Sequence, residues 1–380
     1  MVHIVDADSH LFERPELWTE FADPDQRHLA FTMDRDDNGW DWISVQGRKI
    51  LETWIPTCGD FRTLGPVLER CRQGLPCEFD YARDLPQHYW EPKARAASLD
   101  DFGIDESMLF PHWGLNWSLA MRDEPEGRLA NEAAWNRWAV HVRAEGGGRL
   151  HPVGHLELFD LDWLERQLQL LSAGGITAGW IPAGLVNGVA PSHPDLDRAW
   201  SMFEHYGINP VFHVGANPIR PFADGWFAGH HSEYLPLLSF PFLGLDVFAM
   251  LCDLVLNGVL ERHPQLRLGV MEVMTDWFPM LLRRLDSTPF SEVQITGRSS
   301  MKLSLKPSDY IRRSVRISSF SSERPGATID AVGPLLMWSA DYPHSEGEPT
   351  LDLYRRNAGP IAHDAADSFW GDNAAFILGR

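Results

Sequence analysis

Val2-His3-Ile4-Val5-Asp6-Ala7-Asp8-Ser9-His10 opens the chain and reads as an apolar strand that stops in polar groups. A strand buried on both faces that ends in Asp or His is what the rim of a parallel barrel requires, because ligating groups must lie outside the core and still be held rigidly. Two later stretches repeat the pattern. Pro210-Val211-Phe212 ends in His213, and Leu335 to Trp338 leads through Ser339-Ala340 to Asp341. Asp8 and His10 are two apart, so on an extended strand both side chains point to one side and can reach one ion. Asp341 stands between an apolar strand and the turn Tyr342-Pro343-His344, where a carboxylate can ligate a metal or move a proton. Taken singly, each has an ordinary explanation as a cap, a turn residue or a hydrogen-bonded core histidine. Taken together, they fall at the carboxyl ends of a first, a fifth and an eighth strand, and the first and eighth adjoin in a closed barrel.

Working outward, strand signals recur at about Ile4 to Asp8, Glu106 to Pro111, Leu150 to Leu156, Gly175 to Ile181, Asn209 to Val214, Leu266 to Val273, Val315 to Phe320 and Leu335 to Asp341. Between them, Asn131 to Glu145, Leu161 to Ser172, Asp276 to Leu285 and Asp364 to Leu378 carry helical spacing of apolar residues. Alternating strands and helices predict an α/β chain, a (β/α)8 TIM barrel, over one domain spanning residues 1–380. Two segments exceed a connecting helix. Residues 31–95, an insertion after strand one, hold three of the four cysteines among many Trp, Gly and Pro and read as a cap-like segment. Residues 216–242, a long loop after strand five, combine Phe222, Trp226, Phe227, Phe240 and Phe242 with His230-His231, and would overhang the face where barrel active sites lie.

At 380 residues and 44% hydrophobic, the chain can bury a large core. A formal charge of −20 opposes binding to nucleic acid or to anionic membrane surfaces. Cys58, Cys71, Cys77 and Cys252 form no CxxC pair, and Met1 runs into a strand without a basic or apolar leader, so a cytoplasmic protein without disulfides is expected. Phe240 to Leu260 is broken by Asp246, Asp253, Gly244 and Gly258 and suits a core helix better than a membrane span. Neither GxGxxG nor a Walker loop is present, which gives dinucleotide and nucleoside-triphosphate chemistry no support.

Val5-Asp6-Ala7-Asp8-Ser9-His10, Phe212-His213 and Ser339-Ala340-Asp341-Tyr342-Pro343-His344 resemble the amidohydrolase-related branch of the amidohydrolase superfamily. That branch includes metal-dependent aromatic acid decarboxylases and aminocarboxymuconate semialdehyde decarboxylase. Trp277-Phe278-Pro279 with Leu282 to Asp286, Lys306-Pro307-Ser308-Asp309-Tyr310 and Gly371-Asp372-Asn373-Ala374-Ala375 extend the likeness over nearly the whole chain. The resemblance implies a distorted (β/α)8 barrel, a homodimer, and one divalent ion held by Asp8, His10, His213 and Asp341. Asp8 stands where many members have the first His of an HxH pair. Zinc is the leading ion, and that harder oxygen ligand leaves manganese or another divalent ion possible as well.

After strand six, where the family's decarboxylases present a catalytic His, this chain has Val270-Met271-Glu272-Val273. Glu272 could activate water or shuttle a proton, or form a salt bridge to Arg283 or Arg284. His344 could orient Asp341, bind substrate or cap its turn. Trp113, Trp180 and His155 lie near strand ends and are candidates for the wall around a flat carboxylic acid substrate, with packing as the alternative for each. Glu157 is a second choice beside His155, and His230-His231 lack partners at ligand spacing. The leading expectation is therefore a carboxy-lyase acting on an aromatic or unsaturated carboxylic acid, with Asp341, Glu272 and His344 as catalytic groups. The alternative is hydrolysis of an amide, lactone or carbon-carbon bond by metal-activated water. A barrel that only binds a small molecule or a protein, with a vestigial site, is the third.

Overall fold

A computed structural model describes residues 2–52, 73–76, 79–115, 121, 123–215, 241–344 and 347–380. Eight barrel strands follow in chain order, each where an apolar run is buried on both faces. Strand β1 comes in two pieces, Val5–Asp6 and His10–Leu11; β2 is Glu106–Pro111; β3 is Leu150–Pro152 continued by Gly154–His155. Then come β4 (Ala178–Trp180), β5 (Asn209–His213), β6 (Leu268–Met271), β7 (Val315–Ser319) and β8 (Leu336–Trp338).

All neighbouring pairs run parallel. Both pieces of β1 pair with β2, β2 pairs with the first piece of β3, and the second piece of β3 continues the ladder through β4 to β8. The circuit closes between the ends of the chain. Ala7 N–H donates to the Trp338 carbonyl at 3.3 Å, Asp341 N–H to the Asp8 carbonyl at 2.8 Å, and His10 N–H to the Tyr342 carbonyl at 2.7 Å. This seam places the rim residues of β1 and β8 side by side.

Inside the barrel, Val5, Ala7, Met108, Phe110, Val153, Ala178, Trp180, Val211, Met271 and Met337 form one buried cluster, and Ala374, Ile377 and Leu378 pack against it from the chain's last helical segment. Gly179 in β4 has a steric reason: a Cβ there would lie 2.4 Å from Leu156 Cδ1, so no larger residue fits without repacking. Outside, Leu161–Ala173 is capped by Asp160, whose side chain accepts from Trp163 N–H, and it buries Trp163, Leu164, Gln167, Leu168 and Leu171. Leu245–Leu256 is the core helix expected in the most apolar stretch. No helix among the described residues is long and apolar enough to cross a membrane.

Helix Phe278–Thr296 runs well past the expected Leu285. Its buried face ends at Leu285, and beyond Pro289 it exposes Phe290, Val293 and Ile295, so the extra turns carry no inward-facing apolar pattern. Within residues 31–95, strands Thr32–Arg35, Asp41–Val45 and Arg48–Glu52 make a separate antiparallel sheet. Helix Pro92–Phe102 begins before that segment ends and leads into β2. Cys58, Cys71 and Cys77, and Phe222, Trp226, Phe227, Phe240 and His230-His231 of the loop after β5, lie outside the described residues.

Candidate metal centre

At the carboxyl rim, Asp8, His10, His213 and Glu272 each offer a ligand atom within 4.8 Å of the others'. A second, overlapping group of the same compactness joins His10 and Glu272 to Asp341 and His344. The seam explains the proximity: His10 Nε2 is 3.7 Å from Asp8 Oδ1 and 3.1 Å from Asp341 Oδ1, while His213 Nε2 is 3.3 Å from Asp8 Oδ2 and 3.2 Å from Glu272 Oε2. Thus the structure brings together all four residues expected to ligate a metal, and sets Glu272 and His344 among them.

The hydrogen bonding decides how the imidazoles face. His10 Nδ1 lies 3.0 Å from the Pro111 carbonyl and His213 Nδ1 lies 2.6 Å from the Val214 carbonyl. A carbonyl only accepts, so each Nδ1 carries the proton and each Nε2 keeps a lone pair. Those two Nε2 atoms and both carboxylate oxygens of Asp8 and Asp341 are buried and make no hydrogen bond. Buried polar atoms left this way are costly, and a cation at their meeting point satisfies all of them at once. The donor set therefore fits a divalent ion.

Electrostatics agree. Burial, then repulsion by Asp341 and Asp6, pushes the Asp8 carboxyl well above its usual range, and burial with the neighbouring histidines pushes His10 well below its own. Burial lowers His213 as well. A divalent charge favours ionised carboxylates and neutral imidazoles, the state that ligation requires. Three carboxylates beside two neutral histidines make a hard, oxygen-rich environment.

Two of these three carboxylates leave their strands on strained backbone. Glu272 has φ 54° and Asp341 φ 49°, left-handed values that non-glycine residues seldom adopt. Around Asp341, Asp6 accepts from Ala340 N–H and Ser9 Oγ, and burial raises its carboxyl to about 6. Arg95, fully buried, donates to the Tyr342 carbonyl at 3.3 Å and lies over the Tyr342 ring.

His112, directly after β2, was not singled out from sequence. Its Nδ1 is 2.8 Å from His344 Nε2, and His344 Nδ1 is 3.0 Å from Asp341 Oδ1. Next to it, Trp113 donates its indole N–H to Tyr81 Oη at 2.8 Å and packs in the outer core against the His112 ring, with centroids 4.2 Å apart. Trp180 points into the barrel interior, and its buried indole N–H has no hydrogen-bond partner. His155 packs on the Trp180 ring at 4.3 Å, and its Nε2 is 3.3 Å from Glu132 Oε1. His155, Glu132 and Glu157 form a separate buried group with Arg128, whose guanidinium is 3.4 Å from Glu157.

Fold and rim together define the class: a (β/α)8 barrel carrying a candidate metal centre at the carboxyl ends of strands one, five, six and eight. Solved structures with this fold include an amidohydrolase from Mycobacterium avium subsp. paratuberculosis, 18% identical, with 100% of this chain and 99% of that chain covered and a TM-score of 0.77. A 5-carboxyvanillate decarboxylase from Novosphingobium aromaticivorans, solved with manganese and 4-hydroxy-3-methoxy-5-nitrobenzoic acid, is 18% identical over 84% of this chain and 93% of that chain, at a TM-score of 0.59. The 2,6-dihydroxybenzoate decarboxylase from Rhizobium is 16% identical over 100% and 99%, at 0.60. The chain shares their fold. No protein-family model matches the sequence, and no curated protein matches it.

Proposed function

We propose that this protein is a metal-dependent carboxy-lyase that removes carbon dioxide from an aromatic or unsaturated carboxylic acid. The observation that carries the reading is the convergence of Asp8, His10, His213 and Asp341 with their buried lone-pair atoms unbonded and both Nδ1 atoms tied to carbonyls. Support for the reaction class comes from the solved decarboxylases of aromatic acids that share the fold.

A divalent ion held by these four residues supplies charge stabilisation for the substrate carboxylate and an adjacent hydroxyl or carbonyl. In the reaction the bond between the carboxyl carbon and the ring or vinyl carbon breaks, carbon dioxide leaves, and the carbon left behind takes up a proton. Asp341, entering the step protonated, delivers that proton and is left as the carboxylate, with His344 Nδ1 beside it at 3.0 Å. Glu272, on strained backbone beside His213, is the second group in reach. Trp180 offers its indole N–H to the flat substrate, with His155 packed against its ring, while Trp113 lines the outer wall.

Zinc is the leading ion of the proposal. Manganese, present in the Novosphingobium decarboxylase, suits the three nearby carboxylates as well. A cytoplasmic homodimer, with 31–95 as a cap on a single barrel domain, completes the reading. Hydrolysis is the second reading, and one observation favours it: Glu272 replaces the decarboxylase His and stands where a general base could take a proton from water.

The test is product analysis of purified protein with aromatic and unsaturated acids in oxygen-18 water. Carbon dioxide without label in the organic product supports the lyase, and label in a new carboxylate supports the hydrolase. Asp341→Asn is expected to lower turnover by about 10²–10⁴-fold. Full turnover in that variant removes the proton-donor assignment.

A further inference from the structure

Resting on the decarboxylase reading, we propose that His112 is a positioning residue, which holds the His344 ring in the tautomer and tilt that serve Asp341. His344 is hydrogen-bonded through Nε2 to His112 Nδ1 at 2.8 Å, and its Nδ1 lies 3.0 Å from Asp341 Oδ1, at ion-pair distance. A neutral imidazole has one donor and one acceptor. A proton on His344 Nδ1, the nitrogen that faces the Asp341 carboxylate, leaves Nε2 as the acceptor, so the proton between the two histidines belongs to His112.

The rings are clamped. His112 stacks on Phe12 at 3.8 Å and 15° and meets Trp113 edge-on at 4.2 Å, while His344 stacks on His10 at 3.9 Å. Beneath them, Glu13 accepts from the backbone N–H groups of Trp113 and Gly114, at 3.0 and 2.9 Å, and so fixes the turn that presents His112. The line of contact runs from Glu13 through that turn to His112, His344 and Asp341. Burial disfavours charge on His112 and so keeps it a neutral donor. Without that donor, His344 can exchange tautomers or rotate, and Asp341 loses its alignment for proton delivery while Asp8, His10 and His213 stay in place.

Two variants separate hydrogen bonding from packing. His112→Phe preserves the stacking and removes the donor, whereas His112→Asn sets an amide near the Nδ1 position. Nitrogen-15 spectra of histidine-labelled, zinc-exchanged protein, with His344 assigned through His344→Gln, should show the His344 Nε2 resonance displaced in His112→Phe and restored in His112→Asn. Turnover should fall about 10- to 100-fold in His112→Phe, with KM and bound metal within about twofold of wild type, and recover in His112→Asn. An unmoved His344 resonance in His112→Phe overturns the proposal, as does an equal loss in both variants. If wild-type protein decarboxylates nothing, the lyase reading fails alone, and the resonances still decide whether His112 governs His344.

Discussion

Replacing Asp8 by Asn should stabilise the metal-free protein and at the same time abolish most of the stabilisation that metal confers. Without an ion, the ligand atoms of Asp8 and Glu272 lie within 4.8 Å of each other. Two unit charges at 4.8 Å repel by roughly 3.5 kcal/mol at an effective dielectric constant of about 20. Asp341 adds to this, ranking next after burial among the causes that raise the Asp8 carboxyl. Proton uptake by the raised group relieves part of the repulsion, so the gain expected from Asp8→Asn at mildly alkaline pH is about 1–3 kcal/mol. With a divalent ion at about a thousandfold excess over its dissociation constant, wild-type protein gains roughly 4 kcal/mol, and the variant, one oxyanion short, gains far less. Thermal melting of chelator-treated protein, before and after addition of manganese or zinc, reads both effects, at about 1–2 °C per kcal/mol for a chain of this size. The opposite result is equally well defined. If Asp8 were instead the anionic partner of a protonated His213, the substitution would break a buried ion pair and cost about 3–5 kcal/mol. A lower metal-free Tm in Asp8→Asn, with an undiminished response to metal, therefore refutes the metal centre.

Two further expectations test groups around the site. Burial lifts the Glu13 carboxyl from 4.5 to about 7, so the folded protein binds this proton more tightly than the unfolded chain does. Its contribution is then fully favourable below the unfolded value and falls as pH rises toward 7, by about 3 kcal/mol in all; Glu13→Gln should flatten that part of the pH–stability curve, and an unchanged slope assigns it elsewhere. Trp180→Phe removes a buried indole N–H that has no partner, so stability should change by less than about 1.5 kcal/mol. Its kcat/KM should nevertheless fall about tenfold if the N–H meets substrate, and unaltered kinetics would leave Trp180 a packing residue.

How far the site could be read in advance follows from which signals are local. Glu106–Pro111 appears in the structure with the boundaries its apolar run implied, because a strand buried on both faces announces itself by composition. The candidate ligands Asp8, His10, His213 and Asp341 stood out for the complementary reason, a polar group interrupting such a run at the rim. The same rule, applied to strand two, leads directly to His112, which follows Pro111 as His213 follows Phe212. What hid it was the lack of any local sign that its partner is His344, 232 positions away. The extra turns of Phe278–Thr296 were hidden differently, since helix that buries nothing has no apolar period to read.

Glu272 marks where such reading stops and why. Its position after strand six was evident, and its chemistry was left between general base, proton shuttle and salt bridge. The structure places its Oε2 3.2 Å from His213 Nε2 and its backbone in the left-handed region. A carboxylate held there can share the ion's charge or take a proton beside it, and a displacement of about one ångström exchanges the two roles. Periodicity and motif order resolve position to a residue, never to an ångström. On the proposed reading, reaction type is set at that finer scale, by the distance between Glu272, the candidate ligands and whatever carbon or water reaches them.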